Sequence, residues 1–285
     1  MYLNLSKNSI ENVLVLKELP TLVQLNLSNN KITECLDFTL DLCNKDKKWS
    51  QGDTSIGSML TNVNLGFNNI STLNSLAHHP FLEVLMLNNN NIVDINGLSS
   101  LKFLRVLDLS NNSIKTTIGL DSLQIQELNL SGNCIADLSL LDTCPKLSSL
   151  DVSNNNIRTL SPLLKCGQLM WLNASNNQIE LIRQCDFLSE LNWLNTLLLS
   201  GNPCSLKQFY RRRVIGKLPK LFKLDASDVT PEEKIETANL LGGELSDVQG
   251  RKTIFHKHFP KMQFTGPSLF LDDEINISNE EIMRI

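Results

Sequence analysis

Residues 125–133 read IQELNLSGN and residues 147–155 read LSSLDVSNN. Both stretches place apolar residues at the first, fourth and sixth positions and an asparagine at the ninth, with polar residues between. The L-x-L alternation has the period of a β-strand, which sends successive side chains to opposite faces. So short a strand cannot bury its apolar face alone; it needs neighbours that carry the same phrase. Working outward, the closing asparagine recurs as Asn8, Asn30, Asn68, Asn90, Asn112, Asn133, Asn155, Asn177 and Asn202, most often 22 residues apart.

The full template is L-x-x-L-x-L-x-x-N-x-I. Leu82, Leu85, Leu87, Asn90 and Ile92 fill it, and so do Leu104, Leu107, Leu109, Asn112 and Ile114. Nine occurrences at near-constant period are the leucine-rich repeat pattern. The template asparagine has an amide donor and acceptor that can satisfy backbone groups where the chain leaves the strand. The return halves, such as Ile92 to Leu104, are short and contain glycine, leaving room for about one turn of 3₁₀ helix. The expected fold is a right-handed leucine-rich repeat solenoid: an α/β coil with about ten strands in one curved parallel sheet, a 3₁₀ or loop convex side and a C-terminal cap helix.

This 22-residue form resembles the leucine-rich repeats of the regulatory subunit of protein phosphatase 1, of a spliceosomal ribonucleoprotein subunit, and of axonemal dynein light chains and other ciliary proteins. The resemblance covers about residues 1–230. After Asn202 it extends to those families' C-terminal cap, through Pro203, Tyr210, Arg211, Val214, Leu218, Pro219, Leu221, Leu224 and Asp225, and implies a helix over the open end of the core. It also implies an intracellular, cytoplasmic home, with the cilium or axoneme foremost, because Cys204 is the last cysteine and no cysteine-rich flank follows.

The expected division is a solenoid with its cap over 1–229, a helix over 230–243 and an extension over 244–285. The solenoid is interrupted by an insertion at about 35–58, and its cap covers about 203–229. The insertion shows in the step from Asn30 to Asn68, 38 residues against the usual 22. Lys47, Lys48 and Trp49 within it suit either a partner-contacting loop or a tolerated surface insertion. In the last strand phrase, Leu221, Leu224 and Ala226 fall at strand positions and Val229 takes the asparagine's place. The helix has a start signal in Thr230-Pro231-Glu232-Glu233. Met1 opens directly in a strand phrase, so either the chain is part of a longer one or a partner covers that end.

Composition narrows the function. The chain has 285 residues, 41% hydrophobic, 20% charged and only 6% aromatic, with net charge −4. No apolar run nears the roughly 20 residues of a membrane span. The seven cysteines include no CxxC pair and suit buried, reduced positions. His256 and His258 suit a surface pair, and Phe209 to Arg213, FYRRR, suit either a basic patch or a cap helix. Phosphate-binding, metalloprotease and nucleophile-elbow motifs are absent, and His78 and His79 fall in a return half. The expectation is no enzyme, no cofactor and no metal.

Function is therefore expected on the concave strand face. Its middle row is Asn4, Asn26, Asn64, Met86, Asp108, Asn129, Asp151, Asn173 and Leu198. Beside it run Tyr2, Gln24, Asn62, Val84, Val106, Glu127, Ser149, Trp171 and Thr196, and a third row is mostly serine. None of these rows holds a lysine or arginine, which disfavours nucleic acid and with it the ribonucleoprotein reading. The apolar Met86, Met170, Trp171 and Leu198, read as exposed, stand near the acidic Asp108, Glu127 and Asp151. That composition suits a protein partner within a larger assembly, and neither a membrane nor a small-molecule substrate. The resemblance implies a scaffold of the axoneme or, alternatively, a phosphatase regulatory subunit.

Overall fold

The computed structural model describes residues 1–36 and 59–241, except 14, 15, 17, 18, 20, 74, 75, 77, 78 and 122. Most of the insertion, including Lys47, Lys48 and Trp49, lies outside the described residues, as do His256, His258 and the extension. The elements are β1 (Tyr2–Asn4), β2 (Gln24–Asn26), β3 (Asn62–Asn64), β4 (Val84–Met86), β5 (Val106–Asp108), β6 (Glu127–Asn129), β7 (Ser149–Asp151), β8 (Trp171–Asn173), β9 (Thr196–Leu198), α1 (Tyr210–Lys217), β10 (Lys223–Leu224), β11 (Ser227–Asp228) and α2 (Pro231–Leu241).

All strands form one sheet in chain order. The first ten run parallel, and β11 turns back antiparallel on β10. Each rung is one repeat: Leu85 pairs with Leu107 and Leu107 with Leu128, and all three are buried in one continuous aliphatic core. The coiled, parallel stack is the expected solenoid.

The asparagines hold the rungs together. Asn155 donates from Nδ2 to Val152 O at 3.1 Å in its own repeat and to Leu130 O at 2.9 Å in the preceding one. Its Oδ1 accepts from Ile135 N at 2.9 Å. Asn90, Asn112, Asn133 and Asn177 repeat this three-way bridge. One side chain thus satisfies backbone groups that the end of the strand leaves without ladder partners.

The return halves vary from repeat to repeat. Among the described residues the segments after Asn90 and Asn112 make turns and no 3₁₀ helix, whereas 3₁₀ helix forms at Leu141–Thr143, Ser161–Lys165, Ile182–Leu188 and Pro203–Leu206. The Ile182–Leu188 helix falls in the longest uninterrupted repeat, the 25 residues from Asn177 to Asn202. Gly119 sits at φ 101° with no room for a Cβ beside Ile95 O of the preceding repeat.

The end of the stack differs from the sequence expectation in one residue. Val229 does not stand in for a ladder asparagine; it is buried and donates its N–H to Phe222 O. Asp225 closes the stack instead. Its Oδ1 accepts from Leu199 N at 2.7 Å and Ser200 N at 2.8 Å, and its Oδ2 accepts from Tyr210 Oη at 3.0 Å. The reversal into β11 shifts the chain, so the template's spacing no longer applies. Helix α1 buries Tyr210, Val214 and Ile215 against the core end, and Thr230 caps α2 by accepting from Glu233 N.

Cys35, Cys144, Cys166 and Cys204 are free and buried, Cys185 is buried, and Cys134 is free and exposed; Cys43 lies outside the described residues. Burial pushes the Cys35 and Cys166 thiols up to about 12 and Cys204 to about 11. The folded state thus favours the neutral thiols, a contribution intact below the ordinary thiol range and lost as pH climbs toward those raised values. Asn155→Ala is expected to lower unfolding stability by about 1–3 kcal/mol, because it orphans buried backbone groups in two repeats. Urea denaturation measures it.

Candidate functional site

The strand face is built by register. Met86, Asp108, Asn129, Asp151, Asn173 and Leu198 occupy successive rungs of one row, and Val84, Val106, Glu127, Ser149, Trp171 and Thr196 those of the next. At about 4.8 Å per rung, Met86 and Leu198 stand about 24 Å apart. Met170 lies one residue outside Trp171, on the side where the chain enters the strand, and its carbonyl accepts from Asn195 N and Thr196 N.

The middle row does more structural work than its sequence suggested. Asp108 Oδ1 accepts from Ser110 N at 2.9 Å, Asn129 Oδ1 from Ser131 N at 3.0 Å, Asp151 Oδ1 from Ser153 N at 2.9 Å and Asn173 Oδ1 from Ser175 N at 3.1 Å. Asn4, Asn26 and Asn64 do the same. These are Asx turns, in which a short polar side chain bonds the backbone two residues on. Asp151 also accepts from Asn173 Nδ2 at 3.0 Å through its second oxygen. Asp108 and Asp151, read from sequence as partner-facing charges, are thus partly engaged within the fold. The recurrent N-x-S or D-x-S spacing was the signal for this role.

Two middle-row positions depart from the ladder. Met86 and Leu198 carry no acceptor, and behind Leu198 the Asp225 carboxylate supplies one in its place. Met86, Trp171 and Leu198 are half-buried rather than exposed, because same-row neighbours stand close enough to cover one another's flanks. Met170 and Glu127 are exposed.

The bounding residues complete the charge pattern. Arg105 lies just outside the three rows on the entry side, 3.7 Å from Glu83, an exposed pair of small energetic weight. The arginines of FYRRR belong to the cap. Arg211 pairs with both Glu233 oxygens at 2.7 and 2.8 Å and donates to Leu224 O and Asp228 O. Arg212 reaches Glu236 at 3.3 Å and Arg213 is buried. They latch α1, the terminal hairpin and α2 together. His79 is fully buried at the core position that Leu101 and Cys144 hold in sibling repeats, with Nε2 3.2 Å from Leu36 O. Among the described residues no three His, Cys, Asp or Glu side chains group as a metal site, and no helix is long and apolar enough to cross a membrane.

Comparison with known proteins agrees with this geometry. A leucine-rich repeat profile matches residues 107–252, which is 146 of the 285 residues, and others of the same kind match residues 80–122 and 18–34. The chain belongs to the leucine-rich repeat family, whose domains are generally non-enzymatic modules that bind proteins. Among solved structures it is similar to a leucine-rich repeat protein of Leptospira interrogans, at 24% identity over 78% of this chain and 59% of that one, with TM-score 0.58. It is similar to the leucine-rich repeat domain of APL1B, at 20% identity over 80% and 64%, with TM-score 0.60. It is also similar to internalin C2 of Listeria monocytogenes, at 22% identity over 78% of each chain, with TM-score 0.51. The chain spans less than two thirds of the length of the first and second of these. No curated protein matches by sequence.

Two residues on the strand-exit rim, Lys7 and Phe67, break the repeat at a conformational cost. The residue before the ladder asparagine is left-handed in every rung: Asn89, Asn111, Asn154 and Asn176 have φ of 53–55°, and Gly132 has 66°. Asparagine and glycine tolerate that region; a bulky side chain does not. Phe67 nevertheless holds φ 57° while half its surface is exposed. Phe67→Asn is expected to raise stability by about 1 kcal/mol, read as a higher urea midpoint at unchanged slope.

Proposed function

We propose that this protein is a non-enzymatic scaffold that holds a protein partner against its strand face, with Met86, Asp108, Glu127, Asp151, Met170, Trp171 and Leu198 as the contact residues. The observation that carries the reading is the subset of these side chains that the fold does not need. Trp171 stands where sibling rungs manage with Ser149 and Thr196, and Met86 and Leu198 stand where siblings use an Asx turn. Large apolar groups beside exposed Glu127 and the unengaged edge of Asp108 suit a partner with apolar anchors and basic neighbours. The face's lack of lysine and arginine supports a protein rather than a nucleic acid as that partner.

The repeat type and cap, similar to those of ciliary and phosphatase-regulatory proteins, favour an intracellular assembly. We place it in the axoneme before a phosphatase complex, since insertions and extra tails on such repeats are common among the ciliary families.

Sibling rungs define a test that spares the fold. Trp171→Ser, Asp108→Asn and Glu127→Ser each install a residue that another rung carries at the same place, and Asn retains the Asx turn. The triple variant is expected to melt within about 2 °C of the parent, a small stability change, and to lose the proteins the parent captures from cell extract. Capture of the same proteins by both, identified by mass spectrometry, would place recognition elsewhere on the molecule.

A further inference from the structure

We infer that the strand-entry rim of the third to fifth rungs is a second docking site, a ridge of Met59, Phe81 and Phe103 that seats an amphipathic helix of a protein partner. The inference rests on the reading of this protein as a protein-binding scaffold. The ridge lies outside the strand-face rows assigned above.

Each of the three residues immediately precedes a buried core leucine: Leu60, Leu82 and Leu104. The register that pairs Asn62 with Val84 and Val84 with Val106 stacks the three on consecutive rungs. Phe81 and Phe103 stack with ring centroids 5.9 Å apart. All three remain about half exposed, at 53%, 48% and 54%. The repeat supplies an internal control, because the same position is Thr21, Gln124, Lys146, Gln168 and Lys220 in five other rungs, with an isolated Trp193 in the ninth. The fold therefore does not require a large apolar group there, and three in succession form a contiguous apolar patch of the kind that marks an interaction surface.

Spacing selects the occupant. The ridge repeats at about 4.8 Å per rung. A helix presents its apolar stripe at i, i+3, i+4 and i+7, an axial step of about 4.5–6 Å. A helix lying along the solenoid axis can therefore set one apolar side chain against each rung. Charge orients it. The strand-face flank of the ridge carries Glu83, Asp108 and Glu127 against Arg105, which Glu83 already pairs. The matching helix carries lysine or arginine on the side turned to the strand face.

The test selects 16-residue peptides from a random phage-displayed library on the full 285-residue chain. Each enriched peptide is then titrated against three proteins: the parent, the ridge variant Phe81→Gln with Phe103→Gln, and the strand-face variant Trp171→Ser. Glutamine is the sibling residue at Gln124 and Gln168, so the melting temperature of the ridge variant should match the parent's. The expected peptides have apolar residues at i, i+4 and i+7 with basic residues on one flank. They should bind the ridge variant at least about tenfold more weakly and the strand-face variant as tightly as the parent.

Peptides weakened only by the strand-face variant would overturn the ridge and leave the scaffold reading intact. Peptides weakened by neither would count against both. Absence of any enrichment, as when the chain's own residues 37–58 cover the ridge, would overturn it. So would a sedimentation profile showing a dimer that the ridge variant loses, since the occupant would then be a second copy.

Discussion

One carboxamide per repeat holds this molecule in register. Three-residue strands such as Val84–Met86 carry few ladder hydrogen bonds, and the chain must leave each strand within a core where water cannot reach its backbone. The ladder asparagine meets that need by donating to carbonyls of its own and the preceding repeat and accepting from the preceding repeat's isoleucine N–H, as Asn155 does. Hydrophobic burial supplies the driving force for stacking. The amide makes the stack specific, because a slip of one residue would strand every such group without a partner.

The same logic runs through the strand face. Middle-row Asn and Asp side chains fold back on the backbone two residues on, the serines of the third row add to them, as when Ser153 Oγ bonds Asp151 Oδ1, and Asp225 ends the series from the cap. A surface that looks polar and available is therefore largely occupied with its own geometry. What remains for recognition is the set of places where a rung departs from its siblings: Trp171 and Met86 on the face, and Met59, Phe81 and Phe103 on the rim. Phe67 is such a departure too, held against an unfavourable backbone angle. In a repeat protein the other repeats serve as a reference state, so a departure the fold does not require points to function.

The fold was legible because every level of the sequence repeats it. The leucine spacing fixed the strand register, the asparagines the turns, and the Tyr210 to Asp225 stretch the cap. The site was less legible for a physical reason. Alternation says which residues point outward, but not which of them then turn back to the chain, so Asp108 and Asp151 look partner-facing in sequence although a D-x-S spacing is present. The rim was missed because Phe81 and Phe103 precede the strand and fall outside its alternation. Asp225's role was hidden by the antiparallel return of β11, which no repeat spacing announces.

Residue-resolved native amide hydrogen exchange tests the central claim most directly. That claim is that the polar rows of the strand face are bound into the fold and that the departures are not. Ser110 and Ser153, whose N–H groups bond Asp108 and Asp151, are expected to exchange nearly as slowly as Ile92 and Ile135, which the ladder asparagines protect. Asn88, two residues after Met86 at the equivalent place, is expected to exchange markedly faster. Equal, rapid exchange at Ser110, Ser153 and Asn88 would contradict the account, since the acids would then be free and the face available along its whole length.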